Sequence, residues 1–301
     1  MSNQNKWLQP AARWFCRQRW IRFGIRDHIA RYVENPDTTK GWTFKQPFFG
    51  GVYIGNTCNF IDWSARYFGA YTIEELELLG DVAAASEGPF AAVDIGANVG
   101  NHSLYLGLKR RDGRILAFEP NPGAMALLTQ KLKANPQARI LAIQKALSNK
   151  SGRLLLSLPD HANIGVASLE KAVGSRSVTV DVCRGDDVAE IDSLPQINVI
   201  KIDVEGHELQ VLAGLKRSLA KHHPAVFFEW QGGSISGIQH LFPEGYTFYR
   251  FRGDQNLGFF FARPGYGLQL LPPDCITKLV NILAWLPNRL LPANLSARLF
   301  R

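Results

Sequence analysis

Cysteine is scarce in this chain, and so is any long apolar run. The four cysteines, Cys16, Cys58, Cys183 and Cys275, are far apart and form no Cys-x-x-Cys pair. That excludes a redox dithiol motif and a zinc-finger spacing, and reduced thiols in a cytoplasmic protein are the expectation. No stretch reaches the roughly 18 uninterrupted apolar residues of a membrane span. Near the N-terminus arginines break each apolar run before a signal-peptide core can form. The chain has no internal repeat and no compositionally simple tract, so a repeat array or a disordered tail is not expected. Acids and histidines show no telling ligand spacing, and no metal is expected.

What is present describes an ordinary globular protein. Hydrophobic residues make up 46% of 301, enough for one large domain with a sizeable core. The net charge of +8 is unevenly placed. Residues 1–31 hold Lys6, Arg13, Arg17, Arg19, Arg22, Arg26 and Arg31 against Asp27 alone, which accounts for six of the eight charges. Such an arm suits nucleic acid, an anionic membrane surface or an acidic substrate, and charge does not choose among them.

Periodicity outlines the elements. Trp14, Ile21, Ile25, Ile29 and Tyr32 fall on one face of a helix expected over 14–32. Residues 41–71, rich in glycine and aromatics, read as short strands and loops. A helix follows over 72–85, with Thr72 as N-cap and Glu75 three residues on. From residue 91 strands and helices alternate, the mark of a mostly parallel doubly wound α/β sheet. Strands are expected at 91–94, 114–119, 140–145, 178–182, 198–203 and 225–229, with a hairpin at 152–158. The strands 247–251 and 257–262, joined by a short loop, read as a terminal antiparallel pair. The apolar stretch 279–286 reads as part of a docked helical tail.

Three motifs carry chemistry. Asp94-Ile95-Gly96-Ala97-Asn98-Val99-Gly100 lies between a strand and a helix. Its glycines permit a tight turn and close approach of a ligand, and the helix start at Asn101, His102 and Ser103 offers N–H groups to an anion. Glu119 ends the next strand, 25 residues after Asp94, and is followed by Pro120-Asn121-Pro122. An acid at that height accepts hydrogen bonds from ribose hydroxyls. The third motif, Lys201-Ile202-Asp203-Val204-Glu205-Gly206-His207-Glu208, ends a buried strand, so Asp203 and Glu205 should face the ligand crevice. Glu208 reads as the start of the next helix.

Taken in order, these motifs with Ala146-Leu147-Ser148, Ala167-Ser168-Leu169 and Phe228-Glu229 resemble the FkbM family of methyltransferases over about residues 90–230. The resemblance implies a Rossmann-like class I methyltransferase sheet of seven strands, S-adenosylmethionine as cofactor, and O-methylation of sugar, glycan or natural-product hydroxyls. It implies cofactor contacts at Asp94, Gly96, Ala97, Asn98, Gly100, Asn101, Ser103, Glu119, Pro120, Asn121 and Ala146, with Lys145 beside the adenine. Asp203 is then the first candidate for the base that takes the acceptor proton, with Glu205, Glu229 and His207 after it. His102 is expected to shape the cofactor turn.

The expected organisation is a basic helix and substrate-side extension over 1–85, a catalytic domain over 86–265 and a helical tail over 266–301. Acceptor specificity should lie in 41–80, 160–175 and 231–242. Trp42, Phe48, Phe49, Tyr53, Trp63 and Trp230 are candidates for stacking on a sugar, although core burial is the commoner fate of aromatics. The basic arm raises two rival readings: an RNA methyltransferase, and a non-catalytic scaffold held at a membrane surface by Trp7, Trp14, Trp20 and the arginines. The Asp203 strand lacks the Asn/Asp-Pro-Pro-aromatic signature of base-amine methylation. A nicotinamide-dependent dehydrogenase shares the first two motifs, but Gly-x-Asn-x-Gly departs from the dinucleotide spacing.

Overall fold

Residues buried on both faces give the sheet its near-continuous apolar strands. In the computed structural model, residues 7–159, 167–272, 274–286 and 299–300 are described. The chain begins with α1 (Gln9–Cys16), α2 (Phe23–Val33), β1 (Thr43–Phe48), β2 (Gly51–Asn56), α3 (Phe60–Phe68) and α4 (Ile73–Ala85). The alternating part runs β3 (Ala91–Ile95), α5 (Asn101–Lys109), β4 (Arg114–Phe118), α6 (Pro122–Lys133), β5 (Ile140–Ile143), β6 (Ala146–Ser148), β7 (Gly152–Leu158) and β8 (Arg176–Arg184). It continues with α7 (Ala189–Asp192), β9 (Val199–Ile202), α8 (Glu208–Gly214), α9 (Lys216–His222) and β10 (Ala225–Trp230). The chain closes with β11 (Gly233–Ser234), α10 (Ser236–Gln239), β12 (Thr247–Arg252), β13 (Gln255–Leu257), β14 (Phe261–Arg263), β15 (Gly267–Leu271), β16 (Ile276–Thr277), β17 (Val280–Trp285) and β18 (Leu299–Phe300).

Among the described residues the main sheet has nine strands, two more than the seven expected, in the order β18-β15-β12-β17-β10-β9-β3-β4-β5. Strands β10, β9, β3, β4 and β5 are parallel, whereas β17 pairs antiparallel with β10 and β12. Period-two alternation sends Val93, Ile95, Ile200 and Ile202 to one core layer and Ala92 and Val199 to the other. Helices on both faces complete the doubly wound α/β architecture. β6, β7 and β8 form a separate three-stranded sheet.

Several expectations are corrected. The helix over 14–32 is two helices, α1 and α2, because Ile21 leaves the helical path to bridge Phe261. The buried Arg26 side chain then donates to the freed carbonyls of Cys16 (3.1 Å) and Ile21 (2.8 Å). Residues 60–68 form α3 instead of loop, with Asn59 Oδ1 accepting from the Asp62 N–H at 3.1 Å, an N-cap signal that the sequence carries. Thr72 adopts a left-handed conformation and makes no cap hydrogen bond. The expected 247–251 and 257–262 pair does not form: β12 pairs with β15 and β17, and β13–β14 is a hairpin of its own. The apolar stretch 279–286 contains β17, a strand inserted between β10 and β12, rather than a helix. A short apolar run buried on both faces serves either element, and here two open sheet edges claim it. Residues 273, 287–298 and 301 of the expected helical tail, and the part 160–166 of the expected specificity loop, lie outside the described residues.

The extension before residue 86 is fastened to the sheet by charge. Lys131 of α6 stands 3.0 Å from Asp62 of α3, both fully buried. The Tyr53 hydroxyl (2.9 Å) and the Asn56 N–H (2.9 Å) also donate to Asp62. Removing one partner of such a pair strands a buried charge at a cost of about 3–5 kcal/mol. Lys131→Met is therefore expected to lose about 3–5 kcal/mol of stability. Urea unfolding of the variant against wild type measures it, and a loss under about 1 kcal/mol would mean that Asp62 needs no cation.

Candidate active site

β3 continues through β4 to β5 on one side, while β9 and β10 extend the sheet on the other. The strand order therefore reverses between β3 and β9, and ligands of such sheets bind beyond the carboxyl ends at this point. The loops leaving the two strands touch there. Gly96 and Ala97 both donate N–H to the Phe118 carbonyl at 2.9 Å, and Asp203 N–H donates to the Ile95 carbonyl at 3.0 Å. A Cβ on Gly96 would stand 1.8 Å from the Asp203 carbonyl oxygen, so only glycine fits. Asn98 has φ +51° in the same turn, a left-handed conformation that asparagine tolerates better than most side chains.

Beneath this turn lies a buried charge cluster. Asp94 and Lys201 are cross-strand partners on β3 and β9, and alternation points both to the same face. The Lys201 ammonium stands 3.6 Å from Asp94 and 3.2 Å from Asp203. Asp94 also accepts from the Ser103 hydroxyl at 2.5 Å, which fixes the start of α5. Burial alone would lower the Lys201 pKa, but Asp203, Asp94 and Glu75 together raise it above its ordinary value.

Glu119 is buried, and its carboxylate accepts from the N–H groups of Asn98 and Asn121, each at 2.8 Å. Burial pushes its pKa up to about 7, against the pull of those two N–H groups and Lys201. Each oxygen of a carboxylate has a second lone-pair direction, which leaves acceptor capacity for hydroxyl donors.

The cleft at the switch point has two chambers joined at Gly96, Asn98, Asp203 and Glu205. Glu119, Pro120, Lys145 and Ala146 line the first, together with Phe118, Leu147, Leu156 and Leu169. The second is lined by Ala97, Asn101 and Glu229 and by residues of the extension, Phe60, Ile61, Tyr71, Thr72 and Glu75. Burial, with Asp203 next, raises Glu205 to about 6 and Glu229 to about 7.

Not every expected residue reaches the cleft. Asp94, Gly100 and Ser103 stand behind its wall; a Cβ on Gly100 would meet Leu128. Asn121 caps α6, its Oδ1 accepting from the Gly123 N–H at 3.0 Å. His207 is buried on the first-chamber side with both ring nitrogens engaged, by Glu170 at 2.5 Å and Ser148 at 2.9 Å. Glu208 begins α8 as expected, its carboxylate accepting from the Gly206 N–H. Of the six proposed stacking aromatics, Phe48, Tyr53, Trp63 and Trp230 are core residues, and neither Trp42 nor Phe49 lines the cleft.

Sequence reasoning missed Lys201, Tyr71, Glu75, Phe227 and Asn281. Asn101 clamps the Tyr71 backbone, donating to its carbonyl at 3.0 Å. His102 and Asn281 both meet Glu75, at 3.2 and 2.9 Å. Only Lys201 had a visible signal, a cation inside an otherwise apolar buried strand. Among the described residues no metal-binding group of three or more His, Cys, Asp or Glu side chains occurs.

A doubly wound sheet with a glycine turn after its first core strand and an acid closing the next defines a nucleotide-cofactor-binding α/β protein. The Methyltransferase FkbM domain matches residues 94–259, more than half of the chain, and the chain belongs to that family. Methyltransferases of this family use S-adenosylmethionine. The chain is 32% identical over 126 residues to the hexuronic acid methyltransferase AglP of Haloferax volcanii, a match covering 42% of this chain and 50% of that protein. It is 29% identical over 154 residues to Methyltransferase 1 of Beauveria bassiana, covering 45% and 61%. The chain thus spans half to under two thirds of the length of these curated relatives. A SAM-dependent methyltransferase structure from Agrobacterium tumefaciens aligns over 84% of this chain and 72% of its own at 12% identity, with a TM-score of 0.46, too loose to bear on function.

The crossing of the two loops gives a sharp test. In Gly96→Ala the new methyl must displace the Asp203 carbonyl from a φ of +75°, so the variant is expected to lose at least about 2 kcal/mol. It should also lose cofactor affinity. Thermal unfolding and cofactor titration measure both, and a variant equal to wild type would show that the loops do not meet this closely.

Proposed function

We propose that the chain is an S-adenosylmethionine-dependent O-methyltransferase acting on a hydroxyl of a sugar, glycan or natural product. The observation that carries this reading is the joined pair of chambers, one apolar with Glu119 at its edge, the other acidic and roofed by the extension. The residues fit the cofactor. Asn98 Oδ1, on the wall shared by the two chambers, is buried without a hydrogen-bond partner, as expected of a group placed for a polar ligand. Glu119 would hold the ribose hydroxyls, with Ala146, Leu147, Leu156 and Leu169 against the adenine. Asn98 and Asn101 would meet the methionine end.

Bound S-adenosylmethionine supplies an electrophilic methyl on a sulfonium. The chain's own residues must align the acceptor oxygen, exclude water and take its proton. Asp203 stands at the junction of the chambers with Lys201 holding it, and is the first candidate base. Glu205 and Glu229 follow, both in the acidic chamber. His207, with both nitrogens occupied, serves better as a brace between β6 and the loop before α8.

The charge of the second chamber narrows the acceptor. Glu75, Asp203, Glu205 and Glu229 outnumber Lys201 and His102, so an anionic acceptor would meet repulsion. The name of the Haloferax relative points to an acidic sugar; the acids of this cleft favour a neutral one. As for its working place, we propose the cytoplasm, partly against the inner membrane surface. The thiols of Cys16, Cys58 and Cys183, none in a disulfide, and the basic N-terminal segment support this.

Calorimetric titration of S-adenosylmethionine tests the cofactor. Wild type should bind it, and Glu119→Ala should bind at least about tenfold more weakly through loss of two charge-assisted hydrogen bonds. A folded wild type that does not bind would overturn the proposal. The acids also set a pH dependence. A base raised to about 6 or 7 is protonated and idle below that value, so kcat/KM should climb as pH rises through this range. If Glu229 is the base, this rise disappears in Glu229→Gln. A flat wild-type profile from about pH 5 to 8 would take these two acids out of proton transfer.

A further inference from the structure

The hairpin β13–β14 lies outside the main sheet and holds its aromatic side chains in solvent. Phe259 is 83% exposed and Phe261 56%. Beside them the Trp20 ring, 48% exposed, stands 6.2 Å from Phe260 and 6.1 Å from Phe261, and Phe23 follows one turn later, also exposed. The inner side of this edge is firmly built. Arg22 N–H donates to the Phe260 carbonyl and Ala262 N–H to the Trp20 carbonyl, each at 2.8 Å, over a buried Ile21 and Ala262. Leu257 and Phe261 are cross-strand partners, so they share the outer face, which Gln255 and Arg263 continue. Single exposed aromatics are common on soluble proteins; a contiguous rigid set marks a contact surface.

The acids beside this face are each paired with an arginine, which leaves a surplus of positive charge. Arg19 and Arg26 neutralise Asp254; Arg19 also pairs with Glu74 and Glu77, and Arg31 with Asp27. Among the described residues Arg13, Arg17, Arg22 and Arg263 form no ion pair; Arg13 and Arg17 meet the neutral Gln46 amide instead. Aromatics beside the unpaired guanidinium groups of Arg22 and Arg263 match the interface of an anionic bilayer, where rings settle at headgroup depth and arginines meet phosphates. A second copy of the chain would bring the same cations against one another.

We infer that the β13–β14 tip and the Trp20–Phe23 segment dock on an anionic phospholipid surface. The inference deepens the reading of a peripheral membrane location and is independent of methyl transfer. Co-sedimentation of the full chain with vesicles of phosphatidylcholine alone, or mixed with phosphatidylglycerol, tests it. Wild type should bind the mixed vesicles and release at high salt. A double variant, Leu257→Ser with Phe259→Ser, should bind at least about tenfold more weakly. Both side chains project into solvent, so S-adenosylmethionine titration and circular dichroism of the variant should match wild type; these readouts also separate this inference from the cofactor reading. Absence of binding to mixed vesicles, or equal binding by wild type and variant, would overturn the inference. So would a wild-type dimer that the variant dissolves, which would assign the face to a second copy.

Discussion

The buried Lys201 ammonium is the interaction on which the site depends. It lies between Asp94 and Asp203, on the strand beside β3, at the point where the sheet changes direction. Through Asp94 it fixes Ser103 and the start of α5, and through Asp203 it fixes the loop that crosses Gly96. A buried ion pair is weak evidence for net stability, since desolvation offsets most of the attraction. Its value here is positional: one cation sets the relative placement of the cofactor turn and the candidate base. A neutral residue at 201 would leave the Asp94 carboxylate buried among apolar strands with only a hydroxyl to hold it.

What could be read from sequence were the features determined by local backbone chemistry. Gly96, Asn98 and Gly100 all have positive φ, and a turn that needs such conformations announces itself by residue type. Glu119 stood out because the end of an apolar strand is fixed by the run that precedes it. Asp203 and Glu205 followed from the same logic, and all of these but Gly100 reach the cleft. Asp94 was legible as important but not as support, because its orientation depends on a strand more than a hundred residues away.

The misreadings share one cause, a long-range partner overriding a local pattern. Residues 14–32 have helical spacing, yet Ile21 is taken by Phe261. Leucine-rich 279–286 suits a helix until β10 and β12 present edges to it. Thr72 and Glu75 look like a capping box, but Glu75 is claimed by His102 and Asn281. Tyr71 and Phe60 were invisible as cleft residues because nothing in an aromatic-rich segment says which rings face a ligand.

The two chambers differ in character because different elements build them. The first chamber is built from strand ends and β6–β8, whose inward residues are aliphatic. The second is closed by α3 and the start of α4, elements held down by the Lys131–Asp62 pair rather than by the sheet itself. On α4, adjacent residues face different ways. Glu75 lines the second chamber, while Glu74 meets Arg19 and packs against Gly253 at the base of the aromatic hairpin. One helical turn therefore serves both the second chamber and the edge that carries the exposed rings. Because Arg19 binds Glu74, Glu77 and Asp254 together, that edge cannot shift without drawing on the same turn. The roof of the second chamber and the aromatic face are thus mechanically one element of the fold.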